Sequence, residues 1–247
     1  MSFRYSKFKT RILSIWRRIL PVPTSPYTMG QVKDICLVNL VPSKRLQSFF
    51  ERAIRKLQKL KGEKIGDYLE FGVFNGASVA SFYHACKESR VVTRIFGFDA
   101  FEGLPAGSEN EDEGVWKQGF YTCSFEDMNR CLGRRNVDPR EINWVRGWYK
   151  DTLNAQTVAQ YNFENIGIVF IDCDTYSSSK SVLDFIAPLI KSTMIICLDD
   201  WKLNDLDIKG VGEYESFNEF VEANPQLKVE EISSYNRKSK SFLITPV

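Results

Sequence analysis

Short apolar segments alternate with helix-compatible segments along most of this 247-residue chain. Five of the apolar segments have the length of strands, and residues 166–171 are apolar almost without interruption, as a strand buried on both faces must be. Such alternation predicts an α/β fold with a doubly wound, mostly parallel sheet. Residues 228–233 and 241–245 flank a polar turn and predict a closing antiparallel hairpin.

The first predicted strand leads into a glycine turn that is a candidate ligand site. It runs from Asp67 into Gly72 and Gly76, and a helix-compatible segment follows. A glycine turn at a helix N-terminus suits the polar part of a nucleotide-like ligand, because the backbone can approach closely there. With Glu70, the spacing is E-x-G-x-x-x-G, which differs from the dinucleotide fingerprint G-x-G-x-x-G.

Acidic residues follow three of the predicted strands directly. Asp99 comes after the strand predicted over residues 91–98, Asp172 and Asp174 follow the strand at 166–171, and Asp199 and Asp200 follow the strand at 193–198. Ligands of open α/β sheets bind outside the carboxyl ends of the strands, where Asp99 would suit a ribose. Four further carboxylates so close together favour a cation, and oxygen ligands favour Mg²⁺ or Ca²⁺, with Mn²⁺ as an alternative.

Composition excludes several other classes of protein. The net charge of +2 and the pI of about 8.1 argue against a nucleic-acid partner. One histidine and six cysteines without C-x-x-C spacing argue against a zinc site, and we expect reduced thiols and a cytoplasmic location. No apolar run reaches 18 residues, so no transmembrane helix is predicted. The polar residues 106–119 predict a flexible loop near a site.

The N-terminal residues differ from the rest of the chain. Residues 3–20 have the apolar spacing of an amphipathic helix with a basic face, and three prolines between residues 21 and 26 predict a stiff linker. We therefore divide the chain into an N-terminal extension, residues 1–26, and an α/β domain, residues 27–247. The basic segment can pack on its own domain or on a second subunit, which the apolar face favours, or make peripheral contact with an anionic membrane.

Five motifs together resemble the macrocin O-methyltransferase family, S-adenosylmethionine- and metal-dependent enzymes that methylate sugar hydroxyls. The motifs occur in the order and at the spacing of that family, over about residues 28–247. They are EFGVFNG at 70–76, FDAFEGLP at 98–105, GWYKDTL at 147–153, IDCDTY at 171–176 and LDD at 198–200.

The resemblance implies a class I methyltransferase fold and a role for each motif. Asp174 would be the general base, and the ligands of a metal ion, Mg²⁺ by the oxygen chemistry above, would be Asp172, Asp199 and Asp200. The cofactor-binding residues would be Glu70, Gly72, Phe74, Asn75, Gly76, Ser78, Asp99, Gly147, Trp148 and Asp172.

Three residues depart from the family pattern, and they bear on which molecule accepts the methyl group. Cys173 stands where the family usually has glycine, Ser177 where it often has glutamate, and Trp201 where tyrosine is common. A sugar or glycan hydroxyl is the predicted acceptor, and a non-sugar diol is the alternative. A nicotinamide-dependent oxidoreductase and a non-catalytic relative are rival interpretations; the acid cluster argues against the first because it would repel a pyrophosphate.

Overall fold

A seven-stranded sheet lies at the centre of the computed structural model, which describes residues 34–247 apart from 39, 42 and 164. The strands are β1 (Asp67–Phe71), β2 (Ile95–Asp99), β3 (Asn143–Arg146), β4 (Ile166–Ile171), β5 (Met194–Leu198), β6 (Leu227–Ile232) and β7 (Lys240–Pro246). Their order across the sheet is β3-β2-β1-β4-β5-β7-β6. The first five are parallel, and β7 pairs antiparallel with both β5 and β6. The predicted parallel sheet and its closing hairpin are confirmed.

Helices cover both faces of the sheet. They are α1 (Ser43–Lys61), α2 (Ala77–Ser89), α3 (Phe125–Arg134), α4 (Tyr149–Thr152), α5 (Ala155–Tyr161), α6 (Tyr176–Ile186), α7 (Leu206–Lys209) and α8 (Glu213–Ala223). Short 3-10 turns occupy residues 35–37, 108–110, 112–114, 139–141, 187–189 and 203–205. None of the helices in the described part of the chain has the length and apolar character needed to cross a bilayer.

Two hydrophobic clusters sandwich the sheet. On one face, α1 and α2 pack over β1 and β4, where Phe50 makes edge contacts with Tyr68, Phe82 and Phe170. On the other, α6 and α8 cover a cluster that includes the stacked pair Phe71–Phe98. Because all five residues of β1 are buried, its carboxyl end is a rigid support for the turn that follows.

Three element boundaries differ from the sequence-based prediction. Strand β2 begins at Ile95 and not at residue 91. The Thr93 hydroxyl donates to the Gly66 carbonyl (2.6 Å), and Arg94 pairs with Asp67, the first residue of β1, so these side chains occupy the start of the predicted strand. The strand predicted over residues 141–145 is β3, which begins at Asn143, since a proline-led 3-10 turn occupies residues 139–141. The last helix, predicted over residues 210–223, begins at residue 213 because Gly210 and Gly212 have positive φ angles. The predicted helix at residues 3–20 and its proline linker lie outside the described residues.

Candidate active site

A cavity of about 980 Å³ opens at the carboxyl ends of the parallel strands. Most of the residues that the sequence predicted for the site line this one cavity. They are Gly72, Phe74, Asn75, Ser78, Asp99, Gly147, Trp148, Asp172, Asp174, Asp199 and Asp200. Glu70 and Gly76 do not line it.

The glycine turn after β1 lies against the end of β4. Gly72 has φ +87°, and a Cβ built there would lie 1.8 Å from the Asp172 carbonyl oxygen. Only glycine can occupy this position without moving one of the two strand ends. The contact joins the turn to the first residue of the D-x-D motif.

Asp99 holds the glycine turn from the neighbouring strand end. Its Oδ2 accepts hydrogen bonds from the backbone N–H groups of Val73 (2.7 Å) and Phe74 (3.0 Å), and its Oδ1 accepts one from Phe101 (2.6 Å). Burial raises the pKa of the Asp99 carboxyl, and the three donors counteract that effect. Each carboxylate oxygen has lone pairs to spare, so the group can support the turn and accept further hydrogen bonds.

Glu70 lies behind the turn, completely buried. It accepts hydrogen bonds from the hydroxyls of Tyr68 and Ser78, the latter at 2.5 Å. Burial raises its pKa to about 8, against the opposing effect of those hydrogen bonds. In this position Glu70 braces β1 against the start of α2 and reaches the cavity only through Ser78.

The segment before α1 holds the far side of the turn. The Asn75 amide donates to the carbonyls of Ile35 (3.0 Å) and Val38 (2.8 Å), and Arg135 donates to the Asn75 carbonyl (2.8 Å). A disulfide between Cys36 and Cys131 ties the same segment to α3. The prediction of reduced thiols is wrong for this pair, because residues 95 apart in sequence are brought together by the fold. The cysteine argument for a cytoplasmic location loses its support with it.

Four aspartates meet at the ends of β4 and β5. Asp172 lies beside Asp199, and Asp174 lies beside Asp200. Burial, and then the neighbouring carboxylates, raise the pKa of Asp172 and Asp174 well above the usual aspartate range. Burial also raises the pKa of Asp199, and that of Asp200 to about 6. Carboxyl groups this close must share protons or hold a cation between them.

Both acids of the D-x-D motif line the cavity. Asp172 follows the last residue of β4 directly, and Asp174, two residues further on, has a left-handed backbone with φ +67°. A non-glycine residue in this region is strained by about 1–2 kcal/mol. The intervening Cys173 side chain is buried in the hydrophobic cluster under α6.

The carboxylate oxygens of the four aspartates are candidate ligands of a metal ion. Among the residues that the structure describes, no three Asp, Glu, His or Cys side chains converge in the arrangement of a bound metal ion. The chemistry of the donors nevertheless fits a hard cation, because all are carboxylate oxygens and Asp199 Oδ1 is buried with no hydrogen-bond partner in the described part of the chain. A cation between Asp172, Asp199 and Asp200 would replace the shared protons.

The sequence analysis missed three residues around this cluster. The Oε2 of buried Glu213 accepts the backbone N–H of Asp200 (2.9 Å) from the first turn of α8. Asn236, in the turn between β6 and β7, lines the cavity. Tyr121 lines the cavity and packs edge-on against Phe74 at 6.1 Å between ring centroids. The chain holds no local signal for these contacts, apart from the carboxylate of Glu213 at a helix N-terminus.

The loop predicted to be flexible is anchored at several points. Asp112 accepts hydrogen bonds from the Trp116 indole and from the Tyr176 backbone, both at 2.9 Å. Glu111 accepts from the backbone (2.8 Å) and hydroxyl (2.8 Å) of Ser177. Two loop carboxylates thus cap the N-terminus of α6, where the helix dipole favours negative charge. The loop is a wall of the cavity, and Ser177, one of the departures from the family pattern, is a partner in this anchor.

Comparison with known proteins agrees with this geometry. The sequence model of the macrocin-O-methyltransferase (TylF) family matches residues 30–238. A curated relative, the 8-demethyl-8-(2,3-dimethoxy-alpha-L-rhamnosyl)-tetracenomycin-C 4'-O-methyltransferase of Streptomyces olivaceus, is 24% identical over 147 residues, 56% of this chain and 54% of the relative. The chain spans about half the length of the curated relatives it matches.

Solved structures share the fold. The O-methyltransferase NovP superposes with a TM-score of 0.64 at 18% identity, over 81% of this chain and 78% of NovP. The calicheamicin methyltransferase CalS11 superposes with a TM-score of 0.59 at 18% identity, over 98% of this chain and 93% of CalS11. The predicted class I methyltransferase fold is confirmed. The match over residues 30–238 covers most of the sequence, and the chain therefore belongs to the macrocin O-methyltransferase family.

Proposed function

We propose that this chain is an S-adenosylmethionine-dependent O-methyltransferase that methylates a hydroxyl of a sugar or glycosylated small molecule, with a divalent cation, Mg²⁺ by the chemistry of its ligands. The observation that carries the proposal is the contact between the glycine turn at Gly72 and the Asp172 end of β4. It joins a nucleotide-type turn and an all-carboxylate cluster in one cavity. Such a cavity suits methyl transfer to a weakly acidic hydroxyl better than hydride transfer.

The two halves of the cavity have different roles in the proposal. The glycine turn, Ser78, Asp99 and Trp148 bind S-adenosylmethionine, which supplies the electrophilic methyl group. Asp99 accepts hydrogen bonds from three backbone N–H groups and so keeps the glycine turn in its bound shape. The lone pairs that remain free on the same carboxylate bind the ribose. Glu70 acts through Ser78 as a positioning residue.

Asp172, Asp199 and Asp200 would hold the cation, which would lower the pKa of an acceptor hydroxyl. Asp174 takes the proton of that hydroxyl as its oxygen attacks the methyl group. Glu213 fixes the backbone of Asp200 from behind. Tyr121, between Phe74 and the acid cluster, separates the cofactor half from the acceptor half and orients the acceptor ring.

Relatives guide the choice of acceptor. The Streptomyces olivaceus relative is named for a rhamnosyl substrate, and CalS11 is titled a TDP-rhamnose 3'-O-methyltransferase. These names support glycosides and nucleotide-activated deoxysugars as the first acceptors to test. A non-sugar diol is the alternative.

Titration calorimetry and a labelled-methyl assay test the proposal together. S-adenosylhomocysteine should bind without metal and NAD should not, and label should pass from S-adenosylmethionine to a glycoside only with Mg²⁺ or Mn²⁺. Full turnover in a chelated, metal-free sample would refute the metal, and NAD binding without S-adenosylhomocysteine binding would refute the methyltransferase. Asp199→Asn serves as the matched variant: it should lose metal binding and keep cofactor binding.

A further inference from the structure

Charge is divided unevenly along the chain, although the whole is nearly neutral. Residues 1–61 carry 14 Lys and Arg against two Asp and Glu, a net charge of +12. The remaining 186 residues carry 19 against 29, a net charge of −10. Such asymmetry indicates a surface that meets an anionic partner, which the overall net charge conceals.

Helix α1 presents part of this positive charge to solvent. Its apolar side packs on α2 and the sheet through six buried residues. The opposite side carries the cations that we call the basic face: Arg45, Arg52, Arg55, Lys56 and Lys59. Within the described part of the chain, only Lys56 has an ion-pair partner, Glu230 at 3.7 Å. The basic face is therefore free to bind anions.

Exposed apolar side chains accompany the basic face. Leu37 is 78% exposed, Leu40 is 51% exposed and Leu60 is 55% exposed. They are half of the six large apolar side chains with high exposure in residues 34–247, apart from 39, 42 and 164. Leu37 and Leu40 precede α1, and Leu60 lies in its last turn. Cations alone would suit nucleic acid, whereas a basic helix face with exposed leucines at both ends of the helix suits the interface of a lipid bilayer.

The sequence before this helix continues the same chemistry. Residues 1–33 contain seven Lys and Arg, no Asp or Glu, and apolar residues such as Phe8 and Trp16 among them. Leu40 lines the cavity and lies three residues before the first residue of α1, so the N-terminal end of this helix adjoins the cavity.

We propose that the basic face of α1 docks this protein on a bilayer of anionic phospholipid. Docking would bring the cavity mouth close to the lipid surface, where a membrane-bound glycan or glycolipid could present its hydroxyl. The docking itself does not depend on the proposed function, since binding to vesicles is measured without turnover.

Co-sedimentation of the full chain with vesicles tests the proposal. The chain should bind vesicles of phosphatidylcholine mixed with phosphatidylglycerol, bind pure phosphatidylcholine vesicles far less, and be released by salt. Arg45→Glu/Lys59→Glu should weaken binding about 25-fold or more, because each basic residue near an anionic surface contributes roughly a fivefold factor. The matched control Lys117→Glu/Lys191→Glu changes the net charge equally on exposed residues outside α1 and should bind like the wild type.

Each other outcome overturns the proposal. No preference for the anionic vesicles, or an equal loss in the control, would mean that the basic face is only a solvated surface. Binding to duplex DNA as tight as to the vesicles, with the same loss in Arg45→Glu/Lys59→Glu, would identify a nucleic-acid surface. Arg45→Gln/Lys59→Gln replaces the first variant if its circular dichroism spectrum shows a folding defect, and should weaken binding in the same direction.

Discussion

Replacing Gly72 with alanine tests the contact on which the proposed site depends. The new Cβ would lie 1.8 Å from the Asp172 carbonyl oxygen, and the two strand ends must separate until that distance exceeds 3.0 Å. The left-handed angle alone costs about 1–2 kcal/mol for a residue with a Cβ. Forcing an atom into a packed region adds roughly 1–3 kcal/mol. We therefore expect Gly72→Ala to lower the free energy of unfolding by about 2–5 kcal/mol.

A matched glycine separates the two contributions. Gly62 has almost the same backbone angle, φ +83°, and a Cβ built there meets no heavy atom within 4 Å. Gly62→Ala should therefore lose only about 1–2 kcal/mol. For a chain of this size, each kcal/mol lowers the melting temperature by about 2–4 °C, so calorimetry resolves the difference.

Binding of S-adenosylhomocysteine provides the second measurement for the same pair of variants. Gly72→Ala should bind it much more weakly because the glycine turn has moved, whereas Gly62→Ala should keep the wild-type affinity. Equal loss of stability in both variants, with unchanged affinity, would mean that β1 and β4 do not meet in this way, and the reasoning would be refuted.

Three further predictions concern the residues around this contact. Asp174→Asn should reduce turnover by about 10²–10⁴-fold while calorimetry shows unchanged cofactor affinity, as expected for a general base; a loss of affinity instead would make it a binding residue. Cys36→Ser/Cys131→Ser should lose about 4 kcal/mol in urea unfolding, because the disulfide closes a loop of 95 residues, and reducing agent should lower the stability of the wild type but not of this variant. Glu70 keeps its proton to about pH 8 when folded and loses it near pH 4.5 when unfolded, so its contribution to stability falls as the pH rises through this window. Glu70→Gln removes that dependence, and its stability relative to the wild type should increase from pH 5 to pH 8; parallel pH curves would contradict the assignment.

Local sequence patterns predicted the helices and strands whose bounds are set by their own apolar residues. The apolar spacing of residues 43–61 predicts a helix, and α1 has those bounds because its buried residues recur every three or four positions. Strand β4 also has the predicted bounds, since six consecutive buried residues leave little choice of register or end. The start of β2 differs from the prediction because the Thr93 and Arg94 side chains bind Gly66 and Asp67, which are distant from them in sequence.

The candidate site was predictable to the extent that parallel strands bring their ends together. That rule brought Asp99, Asp172 and Asp199 to one edge without any knowledge of tertiary contacts. It could not reveal that Cys36 meets Cys131, or that Glu213 supports Asp200, because such pairs depend on how loops cross the sheet. It also could not distinguish a residue that lines the cavity from one that lies behind it, as Glu70 does.

The acid cluster destabilises the folded chain, and this supports a functional interpretation independently of any relative. Burial raises the pKa of Asp172, Asp174 and Asp199, so keeping them ionised opposes folding. None of the three has an ion pair with Lys or Arg among the described residues, and Asp174 adds a strained left-handed backbone. Apolar or amide side chains of similar size would remove that cost, as they commonly do at buried charged sites. Because the cluster meets the glycine turn through Gly72, the unfavourable charges and the nucleotide-type turn occupy one place, where a bound cation would offset the repulsion that the fold leaves uncompensated.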